Sequence, residues 1–216
     1  MLEGVTVDID FDMVVLEVCI ESVESAKRAL SCGADRLELC TALSQGGLTP
    51  TVGLLRSVKN HAGSVPVMCL IRCRSGNFNY TEEDLQVMLY DIGCLKDNGA
   101  DGFVIGVLNE SGEIHVESCS RLRAACGSLP VTFHRAFDFS VESIPVALRK
   151  VKQIGCSRIL TSGRDVNVTA AVSVNRRRRK FEGARSSISS SRYHHHAWWR
   201  HHFGKHRSYC EEYQGR

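Results

Sequence analysis

Two phrases in the chain set a carboxylate and a thiol two residues apart: Glu17 with Cys19, and Glu38 with Cys40. If each phrase is a β-strand, its period of two puts the acid and the sulfur on one face. Neighbouring strands lie ~4.8 Å apart, so Cys19 and Cys40 are expected to offer two sulfurs to one ion. Soft metal ions prefer thiolate and thioether ligands, which a reducing compartment keeps available. Cys69, Cys73 and Met68 stand as further sulfur ligands. The competing reading is packing, because a free cysteine is among the most buried residue types and behaves as a small hydrophobe.

A second constellation carries charge rather than sulfur. Arg72 and Arg74 follow one strand-like run, and His134, Arg135 and Asp138 follow another. Histidine titrates near neutrality and arginine grips carboxylate or phosphate with two parallel bonds. With Glu17 and Glu38 these residues form a candidate acid/base and anion-holding set, Glu17, Arg72, His134 and Asp138 at its centre, for an enzyme acting on a small anionic metabolite. The alternative is an internal salt-bridge network tying loops together. Thr161, Ser162 and Gly163 are candidates for hydroxyl or backbone contacts to a ligand, or for a plain turn.

These residues need elements to place them. Strand-like runs occur at Val14–Ile20, Arg36–Leu39, Val67–Ile71, Gly102–Ile105, Val131–Phe133 and Arg158–Thr161. Helical stripes lie between them, clearest at Leu85, Met88, Leu89, Ile92, Leu95 and at Val141, Ile144, Leu148, Val151. Thr49-Pro50 offers an N-cap followed by proline, and Thr81-Glu82-Glu83-Asp84 reads as a capping box. Gly33, Gly99, Gly127 and Gly155 fall where helices should stop. The result is a βα repeat of about six units. Parallel strands joined by right-handed crossovers form a doubly wound sheet or a (β/α)8 barrel. Even spacing, and the lack of a GxGxxG turn after the first strand, favour an α/β fold of the TIM type, incomplete by two units. Its functional groups are then expected at the C-terminal strand ends, in the barrel mouth.

Composition divides the chain. Of its 216 residues, 43% are apolar and 24% charged, the balance of a globular protein, and no window approaches the ~18 apolar residues of a membrane span. Residues 1–173 hold 16 Lys+Arg against 21 Asp+Glu, whereas residues 174–216 hold 11 against 3, with both tryptophans and six of the nine histidines. The segment Met1–Met13 carries Glu3, Asp8, Asp10 and Asp12 and no basic residue, unlike a signal or transit peptide. The expected location is the cytoplasm or nucleus, with the ten cysteines reduced. Three segments follow: an N-terminal extension over 1–13, a partial barrel over 14–165, and a basic tail over 166–216 of low expected order.

Several phrases together resemble the CutC copper homeostasis family: Leu16-Glu-Val-Cys19, Arg36-Leu-Glu-Leu-Cys40, Gly46-Gly-Leu-Thr-Pro50, Ile71-Arg-Cys-Arg74, Pro130-Val-Thr-Phe-His-Arg-Ala-Phe-Asp138 and Leu160-Thr-Ser-Gly163. The resemblance covers about Leu16 to Asp165. It implies a cytoplasmic TIM-type barrel, oligomeric in the family, tied to copper binding or handling. Cys73 departs from the family's usual proline, and Arg164 from a small residue or cysteine. The family pattern continues into a seventh strand, Met-Pro-Gly-Gly-Gly and an eighth strand, for which the tail has no matching phrase.

The tail segment from Tyr193 to His202 admits three readings: a metal-binding histidine cluster, a basic nucleic-acid arm together with Arg176–Lys180, or a shifted reading frame. Dropping one base from the codons of Tyr193-His-His-His-Ala-Trp-Trp-Arg-His201 permits Ile-Ile-Ile-Met-Pro-Gly-Gly-Gly-Ile, the missing strand and its glycine loop. The shifted frame is favoured over both the metal-binding tail and the nucleic-acid arm. On that reading the edges of the first and sixth strands are expected to stay unpaired. Three functions remain: Cu(I) binding through Cys19 and Cys40, catalysis on a small anion bound in the barrel mouth, or a truncated chain without function.

Overall fold

The computed structural model describes residues 15–164, and the backbone of residues 194–196. Seven strands form one parallel sheet in chain order: β1 (Glu17–Ile20), β2 (Arg36–Leu39), β3 (Val67–Leu70), β4 (Gly102–Ile105), β5 (Val131–Phe133), β6 (Arg158–Leu160) and β7 (His194–His196). Helices α1 (Val23–Ser31), α2 (Val52–Ala62), α3 (Glu82–Asp97), α4 (Val116–Ala125), the short α5 (Ala136–Phe139) and α6 (Ile144–Ile154) make the crossovers. Six βα steps in unbroken order are the curled wall of an incomplete barrel.

The local signals act as their chemistry dictates. Thr81 Oγ1 accepts from the Asp84 amide and Asp84 returns a bond to the Thr81 amide, closing the capping box of α3. Gly33, Gly99, Gly127 and Gly155 all sit at positive φ after their helices, where a side chain would strain the backbone. Two boundaries differ from the sequence reading. The N-cap of α2 is Thr51, whose hydroxyl accepts from Leu54, because Thr49 is spent on the Arg72 amide instead. Val141 leaves the α6 stripe and lies 70% exposed.

The larger correction concerns the sheet edge. The edge of β6 is not free: β7 pairs with it in parallel, Arg158 opposite His194 and Leu160 opposite His196. Three identical residues carry no alternation for a period to reveal, yet main-chain ladder bonds do not depend on side-chain identity. The expectations for residues 1–13, and for the tail apart from 194–196, fall outside the described residues.

The two faces of the wall differ in kind. Val18, Leu37, Leu39, Val67, Cys69, Phe103, Ile105, Val131, Phe133 and Ile159 pack toward the helices in one large apolar core. The opposite, luminal face carries Glu17, Cys19, Arg36, Glu38, Met68, Gly102, Val104, Thr132 and Arg158, as the register requires: Cys19 opposes Glu38, Glu38 opposes Met68, Met68 opposes Gly102, Val104 opposes Thr132, and Thr132 opposes Arg158. Cys40, Met68, Leu70 and Val104 form a separate small apolar cluster on that side. A parallel sheet covered on both faces would be apolar throughout. Here one face is built for ions and sulfur.

Candidate functional site

Three groups of polar side chains emerge from this wall. The first lies on β1 and β2. Glu17 pairs with Arg36, and both side chains are nearly buried. Their positions as first residues of their strands put them at the N-terminal end of the wall, not in the mouth where the sequence spacing had set Glu17. Glu38 is 4% exposed, and its Oε2 finds no hydrogen-bond partner among the described residues. Burial, and then the charge of Glu17 beside it, push its carboxyl up to about 8, while the Cys19 thiol and Arg36 pull the other way. At neutral pH Glu38 therefore holds its proton.

Cys19 and Cys40 share the luminal face, as the period of two demands. Their alignment is diagonal: Cys19 stands opposite Glu38, and Cys40 follows two residues further along β2. Strand geometry then separates their Cα atoms by roughly 8 Å rather than a single strand spacing. Cys40 Sγ lies 3.5 Å from the Ile20 carbonyl, and burial pushes the thiol up to about 12. Of the further sulfur candidates only Met68 joins them. Cys69 points into the helix-side core, and Cys73 lies past β3 in a groove of about 340 Å³ between α2 and α3, beside Asp91 and Cys94. Among the described residues no three His, Cys, Asp or Glu side chains converge to hold a metal ion.

The second group occupies the C-terminal ends of β3 and β5. Arg72 is 6% exposed. Its guanidinium donates to the carbonyls of Gln45, Gly47 and Gly76 at 2.8–3.0 Å and stacks over Phe78. The glycine phrase exists to let that happen: Gly46 and Gly47 both take φ +87°, and a Cβ on Gly47 would stand 2.8 Å from Leu70. His134 packs against the same Phe78, ring centroids 4.8 Å apart, and over Gly106, where a Cβ would come within 2.5 Å of the imidazole. Its Nδ1 accepts from the Ala136 amide, so Nε2 carries the hydrogen. That N–H and the Arg72 Nε–H are both buried with no acceptor among the described residues. Burial, and then the Arg72 charge, hold the imidazole down at about 3. Phe78, whose ring also meets Phe139 at a tilt, was absent from the sequence reading because no spacing rule marks a loop aromatic.

The third group is a loop clamp. Asp138 accepts from Arg135 Nε, the Ser162 amide and hydroxyl, the Arg164 amide and the Thr161 hydroxyl. Arg74 likewise ties a loop, donating to Asp84 and the Asn79 carbonyl. Of the proposed catalytic quartet only Arg72 and His134 meet. Glu17 belongs to the wall's other end, and Asp138 serves the loop after β6. Arg164 sits at φ +62°, the left-handed region that a residue with a side chain enters at a cost.

The buried titrations fix how stability varies with pH. His134 ordinarily titrates at 6.5 and is depressed in the fold, so its contribution is lost as pH falls from 6.5 toward 3. Glu38 ordinarily titrates at 4.5 and is raised, so its contribution is whole below 4.5 and lost as pH rises toward 8. Between those ordinary values the two slopes oppose. Urea midpoints are expected to stay level between pH 4.5 and 6.5 and to fall on either side. Glu38→Gln is expected to remove the fall above 6.5. A wild-type midpoint that keeps rising from 6.5 to 8 would contradict this assignment.

An ordered parallel βα wall, with an ionic and sulfur-bearing lumen and an Arg–His pair at its C-terminal rim, defines a barrel protein of the TIM class. The family model for the CutC family matches residues 14–188, further along the chain than the phrases quoted above. The chain belongs to the CutC family. Over 151 residues, 70% of this chain, it is 49% identical to the human copper homeostasis protein cutC homolog, and over 162 residues 43% identical to a CutC family protein of Klebsiella pneumoniae. Those matches span 55% and 65% of the two relatives' own lengths. A solved structure of a copper homeostasis protein CutC from Streptococcus agalactiae superposes with a TM-score of 0.69 at 25% identity, covering 85% of this chain and 98% of that one. No helix among the described residues is long and apolar enough to cross a membrane.

Proposed function

We propose that the chain acts in copper homeostasis by holding Cu(I) on the luminal face through Cys19 and Cys40, with the Met68 thioether beside them. One observation carries this reading: three sulfur side chains share that face around Glu38, whose Oε2 has no partner among the described residues. Cu(I) is soft and accepts two sulfurs where harder ions demand a fuller shell. The reading places the chain in a reducing compartment, the cytoplasm or nucleus, where thiols persist. Both thiols must lose a proton on binding, so the apparent affinity rises steeply with pH.

Titration of Cu(I) against a competing chelator tests this directly. The Cys19→Ser, Cys40→Ser chain leaves every histidine in place, and its affinity is expected to fall about a hundredfold, or roughly 2.7 kcal/mol. Unchanged affinity in a folded double variant would overturn the reading.

A second reading has its own observation in its favour. The Arg72 and His134 N–H groups, without acceptors among the described residues, lie on one aromatic ring at the strand ends, which suits an enzyme acting on a small anionic metabolite. A metabolite that raises the melting temperature of the wild-type chain, but not of His134→Ala, is its signature.

A further inference from the structure

The far end of the wall holds charges that neither reading uses. Arg158 opens β6 on the luminal face and reaches across to β3: its Nε donates to Thr132 Oγ1 at 3.0 Å and its Nη2 lies 3.6 Å from Met68 Sδ. Gly102, opposite Met68, leaves room for that crossing. Thioether sulfur is a weak acceptor, and Arg158 makes no ion pair among the described residues. The acids nearby are committed elsewhere. Glu17 is taken by Arg36, and Asp101 accepts from Lys59 Nζ at 2.6 Å and the Val67 amide at 2.7 Å. Arg36, Lys59 and Arg158 all line one cavity of about 390 Å³ beneath the N-terminal strand ends. Burial, and then the charge of Arg36, hold the Arg158 guanidinium below its ordinary value, while Glu17 pulls the other way. A guanidinium withdrawn from water beside a second one is unfavourable unless an anion joins them.

We infer that this floor cavity binds a small oxyanion, a phosphate or a carboxylate, gripped by Arg158 with Arg36 and Lys59 alongside. The guanidinium fork matches either oxyanion in a two-bonded grip. Two effects oppose binding: the Asp101 carboxylate, paired with Lys59, also lines the cavity, and α2 ends at Ala62 with Gly63 following in the lining, so the negative end of a helix dipole faces it. The Lys59 ammonium answers Asp101, and the dipole's pull is weaker than a single hydrogen bond to a charged group. The cations win. This site lies at the opposite end of the wall from Arg72 and His134, and it meets the copper reading at Met68, which lines the cavity.

The test is thermal unfolding of the full chain in rising inorganic phosphate and, separately, malonate, with sodium chloride matched for ionic strength. A saturable rise in melting temperature with either oxyanion, absent with chloride, is expected, and the oxyanion that saturates names the source. Arg158→Met is expected to weaken that binding at least tenfold. Arg158→Lys, which keeps the charge and loses the fork, is expected to weaken it less, and supplies the comparison if the methionine variant does not fold. Cys19→Ser with Cys40→Ser is expected to leave it unchanged. Equal saturation in a folded Arg158 variant, or no saturation by phosphate or malonate beyond the chloride control, would overturn the site.

Discussion

Asp138→Ala is expected to destabilise the chain by about 3–5 kcal/mol, the range for removing one partner from a buried charged network. The carboxylate is 4% exposed, and it gathers five donors from Arg135 and the segment Thr161–Arg164. Truncation takes the acceptor from the Ser162 and Arg164 amides, and each then has to find another partner or lose its hydrogen bond. Against a total stability of about 5–15 kcal/mol, that is enough to populate unfolded chain at room temperature. Asp138→Asn keeps the shape and some acceptors and should lose less. Urea unfolding at constant m measures both, and a loss under about 1 kcal/mol for Asp138→Ala would show that Thr161–Arg164 is held by something else.

Gly102→Ala is expected to cost about 3 kcal/mol, the upper end of the overpacking range. An added Cβ would come 2.1 Å from Met68 Cε and 2.6 Å from the Pro130 carbonyl oxygen. The methionine can swing away, but the carbonyl belongs to the chain leading into β5 and cannot. Adding Met68→Ala should therefore restore only part of the loss. Full recovery in the double variant would mean that the Met68 side chain, and not the Pro130 carbonyl, is what the added methyl meets.

Much of this was legible in the sequence for a physical reason. Val67–Leu70 and Gly102–Ile105 are buried along their length, so their continuous apolar runs mark parallel strands without ambiguity. The period of two also placed Glu17, Cys19, Glu38 and Cys40 on one face. What it could not supply was register and depth. Cys19 faces Glu38 rather than Cys40 because the β1–β2 ladder starts at Glu17 and Arg36, and a ladder's starting point is set by loop geometry beyond any local pattern. Arg158 was passed over because it opens a strand, at the end where barrels are read as structural. His194–His196 could not be recognised as a strand, since three histidines give neither alternation nor apolar run. Phe78 became visible only once Arg72 and His134 were seen to share its ring.

The copper reading places a soft ion among sulfurs in a chain that also carries six histidines after residue 193. X-ray absorption at the copper edge of the Cu(I)-loaded full chain separates the two donor types. A first shell of sulfur, replaced by nitrogen or lost in Cys19→Ser with Cys40→Ser, is the predicted result. A nitrogen shell that is the same in wild type and double variant would place the copper on histidine and contradict the luminal site.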